Sequence, residues 1–460
     1  MKSDKTEIFE SYSIPKAVAV LSLPAVLSTI VMVLYNIADT YFVGMLADPV
    51  QSAAVSLAAP ALLAFNAVNN LFGVGASSMM SRCLGKKDIE TAKRTASFSF
   101  WLAFIFAALI SIGYTGFDSS VLNLLGADEI TSSETARYLK WTVSCGAIPA
   151  ILNVVLSNMV RSEGESAQAS IGVISGCVLN MILDPFFVLP RFIGMGASGA
   201  GLATFISNCF ATLYLLFFVL RKRKSTIVCL NPLKFSFNKI IIKEVFGVGI
   251  PASIQNLLNV TGSIILNNFT AEYGANAVSA MGIAHKVNLL PIYLSMGLTQ
   301  GIMPLISYNW TSGNRKRMKD SIIFVLKISV VICTLTAALV FIFSGGLIRM
   351  FMDNDDVVAY GKILLREMCA GVLFLGLDFL VVAVFQAIGK GNYSLLFAVL
   401  RKIVFEIPAI IILNKIYPLY GMGFSQAVSE FVLAIIAVIM LIKIFRMEPE
   451  ENEIEKNKLS

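Results

Sequence analysis

The sequence predicts an all-α polytopic membrane protein, with twelve transmembrane helices in two six-helix bundles related by a pseudo-two-fold axis along the membrane normal. Three observations carry this expectation. The composition is that of a lipid-embedded chain: 57% of residues are hydrophobic and 14% charged, with a mean hydropathy of +0.77. An ordinary soluble domain carries roughly 25% charged residues. Apolar stretches of about 20 residues, enough to cross a bilayer, recur along almost the whole chain. They lack the strict alternation of barrel strands. The chain also repeats itself. LSLPA around Ser22 returns as VGIPA around Gly249, and AAVSLAAP ending at Pro60 returns as NAVSAMGI ending at Ile283. GVGASSMMSRCLGKKD from Gly73 has its echo in GLTQGIMPLISYNWTSGN, aligned on Gly75 and Gly301, and MVRSEGESAQAS from Met159 in VFQAIGKGNYSL from Val384. Each echo lies about 225 residues downstream, the signature of one duplicated unit.

The first six spans centre near Thr29, Phe65, Ile105, Val154, Val178 and Ala211. The next six centre near Thr261, Leu294, Ile332, Phe379, Val404 and Ile435. The expected units are an N-terminal bundle (1–220), a basic cytoplasmic linker (221–243), a C-terminal bundle (244–446) and a charged cytoplasmic tail (447–460). The first span follows a short mixed-charge start, exceeds a signal-peptide apolar region and lacks a small-residue cleavage site, so it is expected to stay. An even number of spans per half makes both halves enter the membrane from one side. Lys and Arg cluster between Arg82 and Arg94, Arg221 and Lys243, and Arg315 and Lys319. The positive-inside rule makes these segments and both termini cytoplasmic, in a bacterial-type cytoplasmic membrane. The net charge of +7 is then a topological bias split over short loops rather than a nucleic-acid footprint.

Several chemistries are disfavoured. Cys83, Cys145, Cys177, Cys209, Cys229, Cys333 and Cys369 show no paired spacing, and His285 is the single histidine, which rules out a multi-histidine metal site. There is no phosphate-binding loop, so energy from nucleotide hydrolysis would need another subunit and an ion gradient is the simpler source. No nucleophile–base constellation suggests an enzyme. No cofactor is expected.

The informative residues are polar groups inside spans, which are expensive in lipid and usually functional. The first span carries Asn36 and Asp39, with Ser28, Met32 and Tyr35 on the Asp39 face. The fifth carries Asn180 and Asp184 one turn apart, followed by Pro185, and the sixth carries Thr204, Ser207 and Asn208. All fall in the outer half of the membrane, within the first bundle. Two carboxylates in a poorly hydrated pocket can bind a cation, or one can hold a proton. Asn180 and Thr204 would add the neutral oxygens that hard cations favour, and Pro185 would let its helix bend around an occupied site. A purely structural reading puts Asp39 at the headgroup boundary and Asp184 at a helix end. Against it, the second half has Leu266 and Ala409 at the matching positions, so neither acid is needed to build the fold.

The two six-helix halves, the N-x-x-D of Asn36 and Asp39, GVGASSMMSRCLGKKD, the RSEG turn at Arg161, LNMILDPFF around Asp184 and PLISYNWTSGN together are similar to the multidrug and toxic-compound extrusion (MATE) family. The resemblance runs from about Phe9 to Phe445. It implies an antiporter that exports amphipathic, often cationic, organic compounds in exchange for protons or sodium, working as a monomer among membrane lipids. Asp39, Asn180, Asp184 and Thr204 match the family's first-bundle cation site, which sodium would occupy if it is the coupling ion, and Asn153 joins them from the fourth span. Asn70 matches a recurrent polar position. Some members place a coupling carboxylate where this chain has Asn259, so the resemblance favours coupling through the first bundle alone.

At membrane depth the second half holds Lys286, Asp378, Arg401, Glu406 and Glu430. Asp378, Glu406 and Glu430 would attract a cationic substrate, or Lys286 and Arg401 would pair with them. Met32, Tyr35, Asn36 and Asn70 complete the expected substrate cavity. The abundant Phe and Met, 32 and 18, suit repacking around varied compounds. The alternative is a flippase for lipid-linked oligosaccharide, whose anionic cargo would favour more inward-facing bases.

Overall fold

The computed structural model describes residues 4–46 and 48–446; the expected charged tail, 447–460, lies outside the described residues. The first half comprises α1 (Ile14–Gly44), α2 (Pro49–Gly85), α3 (Ile89–Gly116), α4 (Ser132–Cys145 and Ala147–Ser162), α5 (Ser166–Val188) and α6 (Ala197–Arg221). The second comprises α7 (Lys239–Ala271), α8 (Ala275–Thr311), α9 (Arg315–Phe351), α10 (Asp355–Ala387), α11 (Gly391–Val399, Leu400–Glu406 and Ile407–Ile416) and α12 (Ser425–Arg446). Ten helices are long and apolar enough to cross a membrane, and α4 makes an eleventh when its two parts, bent by 49°, count as one span. The remaining one, α11, is helical throughout but carries Arg401, Lys402 and Glu406 in a π turn, Leu400–Glu406. Its polarity hides it from a test of length and composition.

Packing reproduces the duplication. Helix α1 packs against α5 and, across the seam between halves, against α8; α7 packs against α11 and, across the same seam, against α2. Exchanging the halves leaves that pattern unchanged. The turns echo too. Gly164 between α4 and α5 (φ +92°) and Gly389 between α10 and α11 (φ +82°) occupy equivalent left-handed positions. Between α2 and α3 the equivalent of Gly313 (φ +80°) is Lys87 (φ +61°), where a side chain is strained. Just beyond, Asp88 caps α3 by accepting from the Thr91 N–H at 3.0 Å, and Asn314 caps α9 from the Arg317 N–H at 3.1 Å.

The first and last described segments lie on one face. Phe9 of a short leading helix, Asp4–Glu10, stacks on Tyr308 at 4.9 Å, and the Lys319 ammonium lies 5.2 Å from the Phe445 ring. The seam runs through the parts of α1, α2, α7 and α8 nearest this terminal face. Glycines let backbones touch there. A Cβ at Gly249 would meet the Leu71 carbonyl oxygen at 2.1 Å, one at Gly75 the Val245 carbonyl oxygen at 2.3 Å, and one at Gly301 the Ser22 Cα at 2.4 Å. Ser22 Oγ donates to the Leu298 carbonyl at 3.1 Å. At the rim Arg82 Nη1 meets Glu244 Oε2 at 2.5 Å, and Thr311 Oγ1 donates to the Arg82 carbonyl at 2.8 Å.

The basic segment between the halves, 221–243, is partly helical and partly docked. Helix α7 already begins at Lys239, capped by Asn238, which accepts from the Ile240 N–H at 2.8 Å. The preceding stretch is docked on the first half. Buried Glu163 accepts from Thr226 Oγ1 at 2.9 Å and from the Ile227 N–H at 3.0 Å. Trp101 Nε1 donates to the Leu230 carbonyl at 3.1 Å. Phe98 stacks on Phe235 at 5.8 Å, and Phe235 meets Phe237 edge-on at 4.9 Å.

Candidate ion site in the first bundle

Small residues bring α5 and α6 together where the polar groups need to meet. A Cβ at Gly172 would touch Leu215 at 2.9 Å, and one at Gly176 would touch the Ala211 Cβ at 3.0 Å and the Ser207 carbonyl at 3.2 Å. One and two turns beyond Gly176 on the same face come Asn180, 1% exposed, and Asp184, fully buried. Thr204 of α6 sits opposite. With the Asn180 amide turned so that its nitrogen faces the Asp184 carboxylate, the orientation that satisfies both neighbours, the nitrogen donates to Asp184 Oδ2 at 2.8 Å and the oxygen accepts from Thr204 Oγ1 at 3.2 Å and the Thr204 N–H at 3.1 Å. Pro185 cannot donate to the Met181 carbonyl, so the helix has a weak point beside this network.

Helix α1 adds Tyr35 and Asp39, one turn apart. Tyr35, Asn153, Asn180, Thr204, Ser207 and Asn208 border an empty volume of about 270 Å³. Asp39 lies close enough to Asp184 for their charges to interact, and both act on Tyr138. Asn153 Nδ2 donates to Asn208 Oδ1 at 3.4 Å. Among the described residues, Asp39 Oδ1, Asn153 Oδ1 and Ser207 Oγ are buried without a hydrogen-bond partner. The two carboxyls do not themselves line this volume, but they neighbour Asn180 and Tyr35, which do; together with the unused oxygens they form an environment that can accept a proton or a small hard cation.

The structure therefore brings together Asp39, Asn153, Asn180, Asp184, Thr204 and Tyr35. Asn36 stands apart: it is exposed, and its Nδ2 donates to the Met32 carbonyl of its own helix at 2.7 Å. Met32 is half-buried on the Asp39 face. Asn70 lies in a π turn of α2, Asn69–Val74, and donates to the Asn66 carbonyl at 2.9 Å. Sequence reasoning missed Tyr138. It sits before the bend in α4, on a stretch too polar to read as part of a span, and its only sequence signal is an aromatic residue seven positions ahead of Cys145.

Of the two bases expected to pair with the second-bundle acids, Arg401 does so, with Glu430, and Lys286 does not, among the described residues. Lys286 is exposed; the partner of Glu406 is Lys402, whose Nζ lies 2.6 Å from Glu406 Oε1. Consecutive bases point in different directions from a helix, so Lys402 pairs with Glu406 one turn along its own helix while Arg401 reaches Glu430 of α12. Asp378 is 2% exposed, Glu430 fully buried and Glu406 7% exposed.

Comparison with known proteins follows the same two-part layout. The MatE family model matches twice, over residues 24–186 and 251–412. The multidrug export protein MepA of Staphylococcus aureus (strain MSSA476) is 32% identical over 441 residues, 96% of either chain. Its namesake in Staphylococcus saprophyticus is 31% identical over the same length, again 96% of either chain. A crystal structure of MATE in complex with MaL6 superposes with a TM-score of 0.91 at 25% identity, covering 97% of this chain and all of its own. An outward-facing conformation of a multidrug resistance MATE family transporter gives a TM-score of 0.91 at 25% identity, covering 97% of this chain and 99% of its own.

Proposed function

We propose, from the premise that this chain belongs to the MatE family of integral membrane transporters, that it is an antiporter exporting amphipathic, often cationic, organic compounds in exchange for protons or sodium. The observation that carries the coupling is the set of unused buried oxygens of Asp39, Asn153 and Ser207 around Asn180, Asp184 and Thr204. Multidrug export by MepA supports the substrate class and does not favour the oligosaccharide flippase.

With both termini in the cytoplasm, the seam of α1, α2, α7 and α8 closes the cytoplasmic side, and the likeness to an outward-facing transporter supports this state. Substrate enters from the cytoplasm or inner leaflet in the opposite state, and the two bundles then rock. Loading of the Asp39–Asp184 site by a proton or sodium ion favours an α1 bent toward α5, shrinking the first-bundle cavity and expelling substrate. Tyr35, Met32, Asn36 and Asn70 contact the substrate from the first bundle. Exchange requires that each ligand bind the two states with different affinity. The protein works as a monomer.

The test is efflux of a fluorescent organic cation from proteoliposomes under an imposed pH or sodium gradient, beside Asp39→Asn and Asp184→Asn. Export driven by one gradient and lost in both variants supports the proposal and names the ion. Uphill export that survives loss of both carboxyls overturns it.

A further inference from the structure

Among the described residues, no base is dedicated to Asp378 of the second bundle. Asp378 on α10 and Glu430 on α12 are 2% and 0% exposed, and their carboxyls face each other within hydrogen-bonding reach. A single guanidinium serves both: Arg401 of α11 contacts Glu430 and lies 5.3 Å from the Phe379 ring. The other charges nearby compensate each other. Lys402 is bonded to Glu406 one turn along α11, His285 of α8 lies beside that pair, and α7 contributes the neutral Gln255. Among Asp378, Glu406, Glu430, Arg401 and Lys402 one negative charge is left over, in a place that water barely reaches.

Two ionised carboxylates in contact repel and have no donor between them, whereas one shared proton makes the contact a short charge-assisted hydrogen bond. Among the described residues, neither Asp378 oxygen has a hydrogen-bond partner when every acid is ionised. A metal ion fits poorly, because hard cations require several oxygen ligands. The empty volume beside Asp378, about 250 Å³, is lined by Phe379, Val382, Phe397 and Leu433 and by the positively charged Arg401. The void does have a polar end, at Gln255, Asp378 and Arg401, with space for about one water beside the pair.

We propose that Asp378 and Glu430 share one exchangeable proton, forming a second proton site that loads and releases during transport. On release the proton leaves a carboxyl oxygen for water in the adjoining void, and two carboxylates remain, Glu430 still held by Arg401. The proposal goes beyond coupling through the first bundle and shares no residue with it.

Infrared difference spectroscopy on the purified full-length protein carrying Asp39→Asn and Asp184→Asn isolates this pair from the first-bundle acids. The expected result is a protonated-carboxyl carbonyl band that is lost reversibly as the pH is raised. It should be absent when Asp378→Asn or Glu430→Gln is added. Asp378→Asn leaves the Arg401–Glu430 contact in place, so monodispersity on size exclusion should be retained and the loss can be read as chemistry. Absence of the band in the parent protein, its survival in Asp378→Asn, or a band that no pH change removes would each overturn the proposal. Because the parent lacks both first-bundle carboxyls, these outcomes are independent of whether Asp39 and Asp184 couple transport.

Discussion

Asn180 is the residue on which the first-bundle geometry turns, because one amide satisfies Asp184 and Thr204 at once. Replacing it with Leu keeps the volume but leaves a buried carboxylate without its donor, a cost of about 1–3 kcal/mol. The expected outcome is gradient-driven export reduced roughly tenfold or more, measured as initial efflux rate in proteoliposomes, with expression and size-exclusion profile unchanged. Glu163 is a structural counterpart. It is 1% exposed and holds Thr226 and Ile227, so Glu163→Ala should cost about 1–3 kcal/mol of stability, read as a lower thermal midpoint with substrate binding retained. Lys87 offers the opposite sign. Its left-handed backbone, shared with Gly313, predicts that Lys87→Gly stabilises the α2–α3 turn by about 1 kcal/mol, visible as a raised midpoint. At this scale the sequence disclosed polar residues by type and depth, and Asp39, Asn180, Asp184 and Thr204 could be grouped before any coordinates. The pairing of Glu406 with Lys402 was within its reach, as an i,i+4 spacing on one helix. Partners across helices were not: nothing in the order of residues says that Tyr138 faces both first-bundle acids, since that meeting depends on how separate helices pack.

The helices show why the duplicated strings matter where they do. Gly75 and Gly301 are echoes of one position, and each lies at an equivalent crossing, one against α7 and the other against α1. The duplicated unit thus carries its own half of the seam twice. A branched side chain at Gly249 cannot be placed without moving the Leu71 backbone, so Gly249→Val should part α2 from α7 at a cost of about 1–3 kcal/mol. The check is cysteine accessibility from the terminal face: labelling of a probe cysteine at Ser253 should rise in the variant, and unchanged labelling would show that the crossing tolerates the branch. Helix number was legible from runs of apolar residues, and α11 was legible despite its charges because the run resumes on either side of Arg401; lengths were not, since α8 and α9 each run to 37 residues, well beyond the stretch needed to cross a bilayer. Breaks were not. The bend within α4 and the π turns at Asn69–Val74, Lys140–Cys145 and Leu400–Glu406 arise from packing against neighbours, which a one-dimensional pattern does not contain.

At the scale of the molecule, the halves are held by close backbone crossings and a few polar ties at one face. Arg82–Glu244 is the most accessible of these, with the two side chains 14% and 33% exposed. Charge reversal at Arg82 alone should weaken closure and lower transport severalfold, whereas Arg82→Glu combined with Glu244→Arg should recover most of it; such coupling in a partly exposed pair is about 1 kcal/mol. A double-mutant cycle on efflux rates measures it, and failure of the second reversal to rescue would remove the pair from the gate. The duplication made the two-fold plan visible in the sequence, but the basic segment between the halves read only as charge. Its docking through Trp101, Phe98 and Glu163 has a mechanical consequence. Nearly all of the connecting chain travels with the first bundle, and the covalent joint shrinks to the extended backbone at Asn238 (φ −74°, ψ 125°). The two bundles are therefore less like bodies on a slack tether than like a tight intramolecular complex, each presented to the other at a high effective concentration from a fixed pivot. A flexible insertion after Phe237 would dilute that encounter without removing a single contact, and would slow reclosure of the seam while leaving both buried acid clusters intact.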